Sequence, residues 1–194
     1  MSIPDFNKPI TELLNGKIFN MTPPPAMNHT IVSANIFRLF GNYLETNTCH
    51  AFSDGHDVFL GENDRVVPDM MVVCNPNIIK GDGIYGAPNL IVEVLSPSTV
   101  KNDRGYKMQL YARFGIGEYW IVDPRNKTIE IYILTASAYL IEAVYSIYPD
   151  YDIKKMSDEE RKQELISEFQ SKLFPDLTIR LKDVFAKMIP AENL

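Results

Sequence analysis

The sequence predicts an α/β (α+β) protein in which a central mixed β-sheet is flanked by helices. Strand-like apolar runs alternate along the chain with stretches whose apolar residues recur at helical spacing. The chain has 194 residues, of which 45% are hydrophobic and 23% charged, so it is long enough to bury a sizeable core without stabilising cross-links. We therefore expect residues 1–194 to form a single domain.

The first half of the chain is predicted to begin with a hairpin and a helix. In ITELLNGKIFNM, Asn15-Gly16 separates two short apolar runs, which is typical of a two-residue hairpin turn. Apolar residues fall on one helical face over residues 28 to 45, which predicts a helix there. HAFSDGHDVFL and RVVPDMMVVCNP are each predicted to be a strand, and residues 89 to 95 are a third.

The second half of the chain is predicted to alternate in the same way. Residues 101 to 114 show helical spacing, and EYWIVDP and TIEIYIL are strand-like. Residues 139 to 148 favour a strand, although TASAYLIEAVY is also compatible with a helix. Ser157 and Glu160 form a capping box that predicts a helix over 158 to 171. The chain then closes with a strand, LTIRL, and a short helix, KDVFAKM.

Charge and cysteine content limit the classes of function. The net charge of −6 argues against a surface that binds nucleic acid indiscriminately, so any polyanion contact must be local. Cys49 and Cys74 lack metal-ligand spacing, and we expect free thiols in a reducing compartment. No basic and apolar leader or membrane-length apolar run is visible, which predicts a cytoplasmic protein that does not span a membrane.

Two familiar motifs are rejected. GDGIYG matches GxGxxG, but the residues that follow it are strand-like, whereas a dinucleotide-binding loop opens a helix. We expect a surface loop there. His50 and His56 lack a supporting carboxylate pattern, so we expect polar strand or turn positions and no zinc site.

Two carboxylates lie within apolar runs. Glu93 is in the middle of LIVEVLSPST, where a buried charge costs several kcal/mol unless it is paired or binds a metal. Asp69 has a similar setting in VVPDMMVV. If the two face each other on neighbouring strands, they could hold Mg²⁺, which uses one or two carboxylates together with water and phosphate oxygens. The alternative is that each occupies a strand end or edge.

Together, several motifs resemble the Uma2 family of restriction-endonuclease-like proteins. These are PDMMVV, LIVEVLSPST, the spaced series Asp103, Lys107, Tyr111 and Gly115, then EYWIVDP and LFPDLTIRLKDVFA. The resemblance covers nearly the whole chain, including ELLNGKI and the proline-rich segment before His29. It implies the restriction endonuclease-like fold of the PD-(D/E)XK nucleases, with an N-terminal hairpin and extra C-terminal strands.

The resemblance also implies roles for individual residues. Pro68-Asp69 matches the PD element, and Glu93 matches the acidic position of the motif. The lysine that usually follows two residues later is replaced by Leu95, which cannot supply an ammonium. We expect Lys107, on the next helix, to take its place, with Asp69, Glu93 and Lys107 as the catalytic residues. The alternative for Lys107 is a solvated ion pair with Asp103.

Other residues receive secondary assignments. Glu12 matches an acidic position of the family and is either an additional metal ligand or an exposed hairpin residue. His29 has a capping, packing or site-shaping role. Asp103, Gln109 and Tyr111 could shape the site, with packing as the alternative for Tyr111. Trp120 is assigned to the core in preference to a base-stacking role.

These assignments predict an endonuclease that uses Mg²⁺ or Mn²⁺ to hydrolyse phosphodiester bonds in nucleic acid, DNA more than RNA. We expect a homodimer, because two cuts on a duplex suit a symmetric pair. The alternative function is a catalytically inactive binding or regulatory module that keeps the nuclease fold. A third class is a structural protein that assembles through aromatic surfaces such as YSIYPDY.

Overall fold

A computed structural model describes residues 11–21, 26–136 and 138–190. The chain begins with the predicted hairpin, formed by β1 (Thr11–Leu14) and β2 (Lys17–Asn20). Asn15 and Gly16 have φ values of 51° and 73°, and a two-residue turn of this kind requires positive φ at both positions. The prediction from Asn15-Gly16 is therefore confirmed. The proline-rich segment that follows lies largely outside the described residues.

A mixed sheet forms the centre of the fold, as predicted. Its strands are β3 (His50–Ser53), β6 (Met70–Val73), β9 (Leu90–Val94), β10 (Glu118–Asp123), β11 (Thr128–Leu134) and β12 (Tyr139–Ser146), in the spatial order β12-β11-β10-β9-β6-β3. β9 and β10 are parallel, and their other neighbours in the sheet are antiparallel. The strand interpretation of the TASAYLIEAVY region is confirmed.

The hairpin is part of a second sheet, which lies on one side of the core. It adds β4 (Val58–Phe59), β5 (Arg65–Val66), β7 (Ile79–Lys80) and β8 (Gly83–Tyr85) to β1 and β2. The predicted strand HAFSDGHDVFL is therefore two strands in different sheets, with Gly55 at φ 96° between them. RVVPDMMVVCNP is likewise divided into β5 and β6. GDGIYG is not simply a loop, because its second glycine begins β8.

Helices cover the central sheet. α1 (Met27–Leu44) lies within a residue of the predicted bounds and buries Val32, Ile36 and Phe40 in the core on one side of the sheet. On the other side, α2 (Val100–Asn102), a π-helical turn (Asp103–Lys107) and α3 (Met108–Arg113) follow one another without a break. The predicted helix over 101 to 114 is therefore present, but a π-helical turn interrupts its regular winding.

The C-terminal part adds small elements at the edge of the fold. They are α4 (Asp150–Ile153), α5 (Asp158–Glu164), β13 (Glu168–Gln170), β14 (Thr178–Arg180) and α6 (Leu181–Val184). The predicted capping box is confirmed, since Ser157 and Glu160 bond each other's backbone N–H groups. The helix after it ends at Glu164 and not at residue 171, because residues 168–170 pair with β14 as a small hairpin.

The cysteines are not free thiols, and that prediction is wrong. Cys49 and Cys74 form a disulfide with their Cα atoms 4.0 Å apart. They directly flank the paired residues His50 and Val73 of β3 and β6, so the register of these strands places them opposite each other. Disulfides are rare in the cytosol, so the cysteines no longer support a reducing, cytoplasmic location.

Within the described ranges, no helix is both long enough and apolar enough to cross a membrane.

Buried side chains form two apolar clusters, one on each side of the central sheet. Trp120, predicted to be core, is fully buried in the cluster beneath α1. That residues 1–194 make up a single domain stays a prediction.

Candidate active site

Asp69 directly precedes β6, and the antiparallel register of β6 with β9, extended by one residue, sets it opposite Glu93 of β9. Met70 of β6 pairs with Val92 of β9, so the next pair in register is Asp69 with Glu93. Opposed residues project from the same face of a sheet. Both side chains are buried, with 6% of Asp69 and 3% of Glu93 exposed. The sheet register thus brings together the two carboxylates identified in the sequence.

Asp69 is held by the backbone of β9 and by the first helix. Its Oδ2 atom accepts a hydrogen bond of 2.7 Å from the Val94 N–H and lies 3.2 Å from His29 Nε2. Burial acts to lower the pKa of His29, but the hydrogen bond and charge of Asp69 outweigh it and raise the pKa above its usual value. His29 therefore contacts a predicted catalytic carboxylate, and does not cap α1.

Lys107 lies at the centre of an acidic cluster. Its Nζ atom is 2.8 Å from Glu12 Oε1, 3.1 Å from Glu93 Oε1 and 3.4 Å from Asp103 Oδ1. Only 2% of the side chain is exposed, so the alternative of a solvated ion pair with Asp103 is wrong. Burial opposes the charged form, yet the surrounding carboxylates raise the pKa of Lys107 well above its usual value. Lys107 is therefore an ammonium at neutral pH.

Glu93 combines burial with strong polar contacts. Burial raises its pKa well above the usual value, and the Lys107 charge opposes that rise. The Tyr111 hydroxyl donates a 2.6 Å hydrogen bond to Glu93 Oε1, the oxygen that also faces Lys107. Asp103, Lys107 and Tyr111 thus lie along one helical face, as their spacing predicts. The π-helical turn keeps both Asp103 and Lys107 directed inward.

Two acidic residues of the cluster differ in their bonding. Glu12 is 4% exposed, and its Oε1 atom accepts the Val67 N–H at 3.0 Å besides contacting Lys107. The alternative of an exposed hairpin residue is therefore wrong. Burial raises the pKa of Asp103, and the charge of Lys107 opposes that rise. Asp103 is stabilised mainly by the charge of Lys107.

The remaining predicted positions lie away from this cluster. Leu95 is half-buried two residues after Glu93 and supplies no polar group. Gln109 is exposed on α3 and does not line the cavity above the carboxylates. A role for Gln109 in shaping this cavity is therefore unsupported by its position.

A cavity of about 160 Å³ opens above the carboxylates. It is lined by Glu12, Phe19, Asn20, Met21, His29, Asp54, Asp69, Glu93, Ser96, Ser98, Thr99, Asn102 and Lys107. The sequence reasoning did not identify Asp54 as part of the site. Asp54 directly follows β3, the strand next to β6, and an acidic residue in the Asp-Gly turn after a strand was the available signal.

The donor set suits a metal ion that needs few protein ligands. Asp69 Oδ1 and Glu93 Oε2 take part in none of the hydrogen bonds found across the described residues, so each carboxylate keeps an oxygen for another partner. Mg²⁺ and Mn²⁺ prefer oxygen ligands, and Mg²⁺ commonly uses one or two carboxylates. No group of three or more His, Cys, Asp or Glu side chains in the described part of the chain is arranged to hold an ion. The fit is thus to Asp69 and Glu93, and the role of Glu12 as an additional ligand stays a prediction.

Comparison with known proteins agrees with this architecture. The crystal structure described as that of "a putative nuclease belonging to DUF820" from Anabaena variabilis ATCC 29413 has a TM-score of 0.69, with 20% sequence identity. The similarity covers 95% of this chain and 93% of that one. At this identity it shows a shared fold, and the predicted α+β nuclease-like fold is confirmed.

The sequence comparisons lead to the family. "Uncharacterized protein slr1290" from Synechocystis is 33% identical over 123 residues, which are 62% of this chain and 64% of that protein's length. Residues 2–172 match the family described as "Uma2: Putative restriction endonuclease". That match covers most of the sequence, as the motifs PDMMVV and LIVEVLSPST led us to expect. The chain therefore belongs to the Uma2 family.

Proposed function

We propose that this protein is a nuclease that hydrolyses phosphodiester bonds in nucleic acid, with DNA as its substrate and Mg²⁺ or Mn²⁺ as its cofactor. The observation that carries the proposal is the opposition of Asp69 and Glu93 in a cavity that also contains the Lys107 ammonium. The family description and the name of the similar crystal structure support a nuclease.

In this proposal, Asp69 and Glu93 hold the metal ion through the oxygens that the protein leaves free. When bound, a divalent ion supplies Lewis acidity, which activates water and offsets charge on the phosphoryl oxygens. The Val94 N–H and His29 hold Asp69 in place, and Tyr111 and Lys107 hold Glu93. The two carboxylates therefore act as pre-oriented ligands.

Lys107 provides a positive charge at the reacting phosphate. The attacking water oxygen forms a bond to phosphorus while the bond to the leaving oxygen breaks. The water loses a proton to solvent, and the leaving oxygen takes one from solvent. The Lys107 ammonium, whose N–H groups face Glu12, Glu93 and Asp103, acts through its charge, which offsets the negative charge that grows on the phosphoryl oxygen. Glu12 and Asp103 hold the ammonium in position.

A metal-dependent cleavage assay tests this function. We would incubate purified protein with DNA or RNA in the presence of Mg²⁺, Mn²⁺ or EDTA, beside Asp69→Asn and Glu93→Gln. Glu118→Gln is the matched control, because Glu118 is a fully buried carboxylate of β10 that bonds Trp120 and Ser171 and does not line the cavity.

We expect cleavage by wild type and Glu118→Gln with metal, and at least a hundredfold loss in the two site variants. Calorimetry with Mn²⁺ should show weaker binding to Asp69→Asn. Equal residual cleavage in all variants would point to a contaminating nuclease and remove the proposal.

The alternative function is a nuclease-fold module that binds nucleic acid without cutting it. One observation favours it: in the described residues, Lys107 is already engaged by three carboxylates and no three-ligand metal group is present. Such a module binds nucleic acid equally well in EDTA and in Mg²⁺, and gives no cleavage in the same assay.

We also propose that the protein is a homodimer. β12 lies at the edge of the central sheet and exposes Leu140, Ile141 and Val144. An exposed apolar edge strand is a common site of pairing with a second chain. Sedimentation should give twice the mass of one chain, and Ile141→Lys should reduce it to one. A single-chain mass for the wild type would contradict the homodimer.

A further inference from the structure

The cavity above the carboxylates has two walls of different chemistry. One wall is the N-terminal hairpin and the residue after it, with Phe19, Asn20 and Met21. The other is the segment after β9 and the start of the following helix, with Ser96, Ser98, Thr99 and Asn102. A substrate that reaches Asp69 and Glu93 therefore meets both an aromatic side chain and a hydroxyl-rich segment.

Phe19 is placed by the hairpin register to face this cavity. It pairs directly with Glu12, so the two side chains project from the same face of the hairpin. Glu12 is buried against Lys107, whereas 39% of Phe19 remains exposed. The adjacent Ile18 is 72% exposed but projects from the opposite face and does not line the cavity. An apolar ring is thus kept in contact with water beside an acidic centre.

The hydroxyl-rich wall has side-chain oxygens that are already close together. Ser96 Oγ lies 2.9 Å from Ser98 Oγ and 3.1 Å from Thr99 Oγ1. A hydroxyl can donate or accept, so such a cluster can turn a donor toward a phosphate oxygen. Lys101, next to this wall, is exposed. This wall suits a sugar-phosphate backbone better than an aromatic base.

The size and charge of the protein favour a narrow substrate. The cavity is about 160 Å³, and the two carboxylates at its base are almost completely buried. Proteins that grip duplex DNA commonly neutralise many phosphates, which does not suit a net charge of −6. Single-strand binding also uses phosphate contacts, and adds to them the stacking of unpaired bases on aromatic side chains.

We propose that the site accepts an unpaired nucleic acid strand, with a base stacked on Phe19 and a phosphate beside the hydroxyls of Ser96, Ser98 and Thr99. A paired duplex is the weaker fit, because its bases are stacked on each other, whereas those of an unpaired strand are available to stack on Phe19. The inference rests on the proposed function, since it assigns the carboxylates at the base of the cavity to cleavage.

The test compares three labelled oligonucleotides of one sequence: single-stranded DNA, single-stranded RNA and duplex DNA. Binding to the full-length protein is measured by fluorescence anisotropy in EDTA, and cleavage is measured separately in Mn²⁺. Phe19→Ala removes the ring, Phe19→Trp keeps a stacking surface, and Ile18→Ala is the matched control from the same strand.

We expect single strands to bind at least tenfold more tightly than duplex. Phe19→Ala should lose about tenfold in affinity for single strands, while Phe19→Trp and Ile18→Ala should stay near wild type. The DNA and RNA arms identify which strand is preferred.

If the protein cleaves nucleic acid but binds duplex and single strands with equal affinity, the inference is overturned and the nuclease function stands. The same holds if Phe19→Ala and Ile18→Ala change the affinity for single strands equally. The protein could also bind single strands in a way that depends on Phe19, yet cleave nothing with any metal ion. That result would support the inference and remove the proposed catalysis. Absence of both binding and cleavage would overturn both.

Discussion

Lys107 and Glu93 form a buried ion pair between the helical segment and the central sheet. Lys107 Nζ lies 3.1 Å from Glu93 Oε1, although the two residues are 14 positions apart in the chain. The position two residues after Glu93, on the strand itself, is the apolar Leu95. A positive charge therefore reaches the carboxylate from the neighbouring helix, through the π-helical turn that ends at Lys107.

Tyr111→Phe should measure the hydrogen bond that orients Glu93. The change removes the hydroxyl that donates to Glu93 at 2.6 Å and keeps the buried ring. We expect the free energy of unfolding in urea to fall by about 1.5–3 kcal/mol, because the acceptor is a carboxylate. Tyr119→Phe is the control, since its hydroxyl donates to the Asp103 backbone carbonyl and should cost about 1 kcal/mol. A larger loss in Tyr119→Phe would contradict this assignment.

Glu93 should make the metal-free protein less stable as the pH rises. Burial raises its pKa above the usual 4.5, so at pH values between the unfolded and folded pKa the folded state keeps a proton that the unfolded chain has lost, and above the folded pKa Glu93 is the carboxylate that pairs with Lys107. The resulting stabilisation is complete below pH 4.5 and disappears as the pH rises through the folded-state pKa. Glu93→Gln lacks this titration. Urea unfolding in EDTA should therefore show the variant gaining stability relative to wild type with rising pH, whereas a constant difference would contradict the raised pKa.

The disulfide should contribute measurably to stability. Cys49 and Cys74 close a loop with a sequence separation of 25, for which the chain-entropy relation gives about 3.5 kcal/mol. We expect reduction, or replacement of both cysteines by alanine, to lower the free energy of unfolding by roughly that amount. Mass spectrometry after alkylation of the unreduced, denatured protein should show no labelled thiol. Two labelled thiols would contradict the disulfide.

His29→Gln should weaken metal binding without direct loss of a ligand. His29 Nε2 contacts Asp69 at 3.2 Å, and removal of a partner that orients a ligand typically costs tenfold to a hundredfold in metal affinity. Calorimetric titration with Mn²⁺ measures the change. His50→Gln is the control, because His50 is exposed on β3 and does not line the cavity. Equal affinities in the two variants would show that His29 does not orient Asp69.

The sequence was sufficient where local chemistry decides the structure. Asn15-Gly16 predicts the hairpin because few other residue pairs accept positive φ at both positions. Glu93 is recognisable because a charge inside an apolar strand needs a partner. Lys107 and Tyr111 reach that carboxylate because their spacing places both on one helical face.

The remaining features depend on register between distant segments. The disulfide forms because β3 and β6 pair so that Cys49 meets Cys74, which no local pattern reveals. Glu12 is buried because its hairpin lies against the helix that carries Lys107. The two ends of HAFSDGHDVFL, on either side of the polar residues SDGHD, pair with strands of different sheets. In each case, contacts between segments that are distant in the sequence override local propensity.

The most direct test of the catalytic account is the single-turnover cleavage rate of Lys107→Met and Lys107→Arg under saturating Mn²⁺. Losing the ammonium should destabilise the fold by about 3–5 kcal/mol, so rates are compared at temperatures where each variant is shown to be folded. Lys107→Arg keeps the charge, so it still provides a rate to compare with wild type if Lys107→Met does not fold.

We predict that Lys107→Met binds Mn²⁺ at least as tightly as wild type and cleaves at least a hundredfold more slowly, while Lys107→Arg retains an intermediate rate. Cleavage by folded Lys107→Met at the wild-type rate would contradict the account.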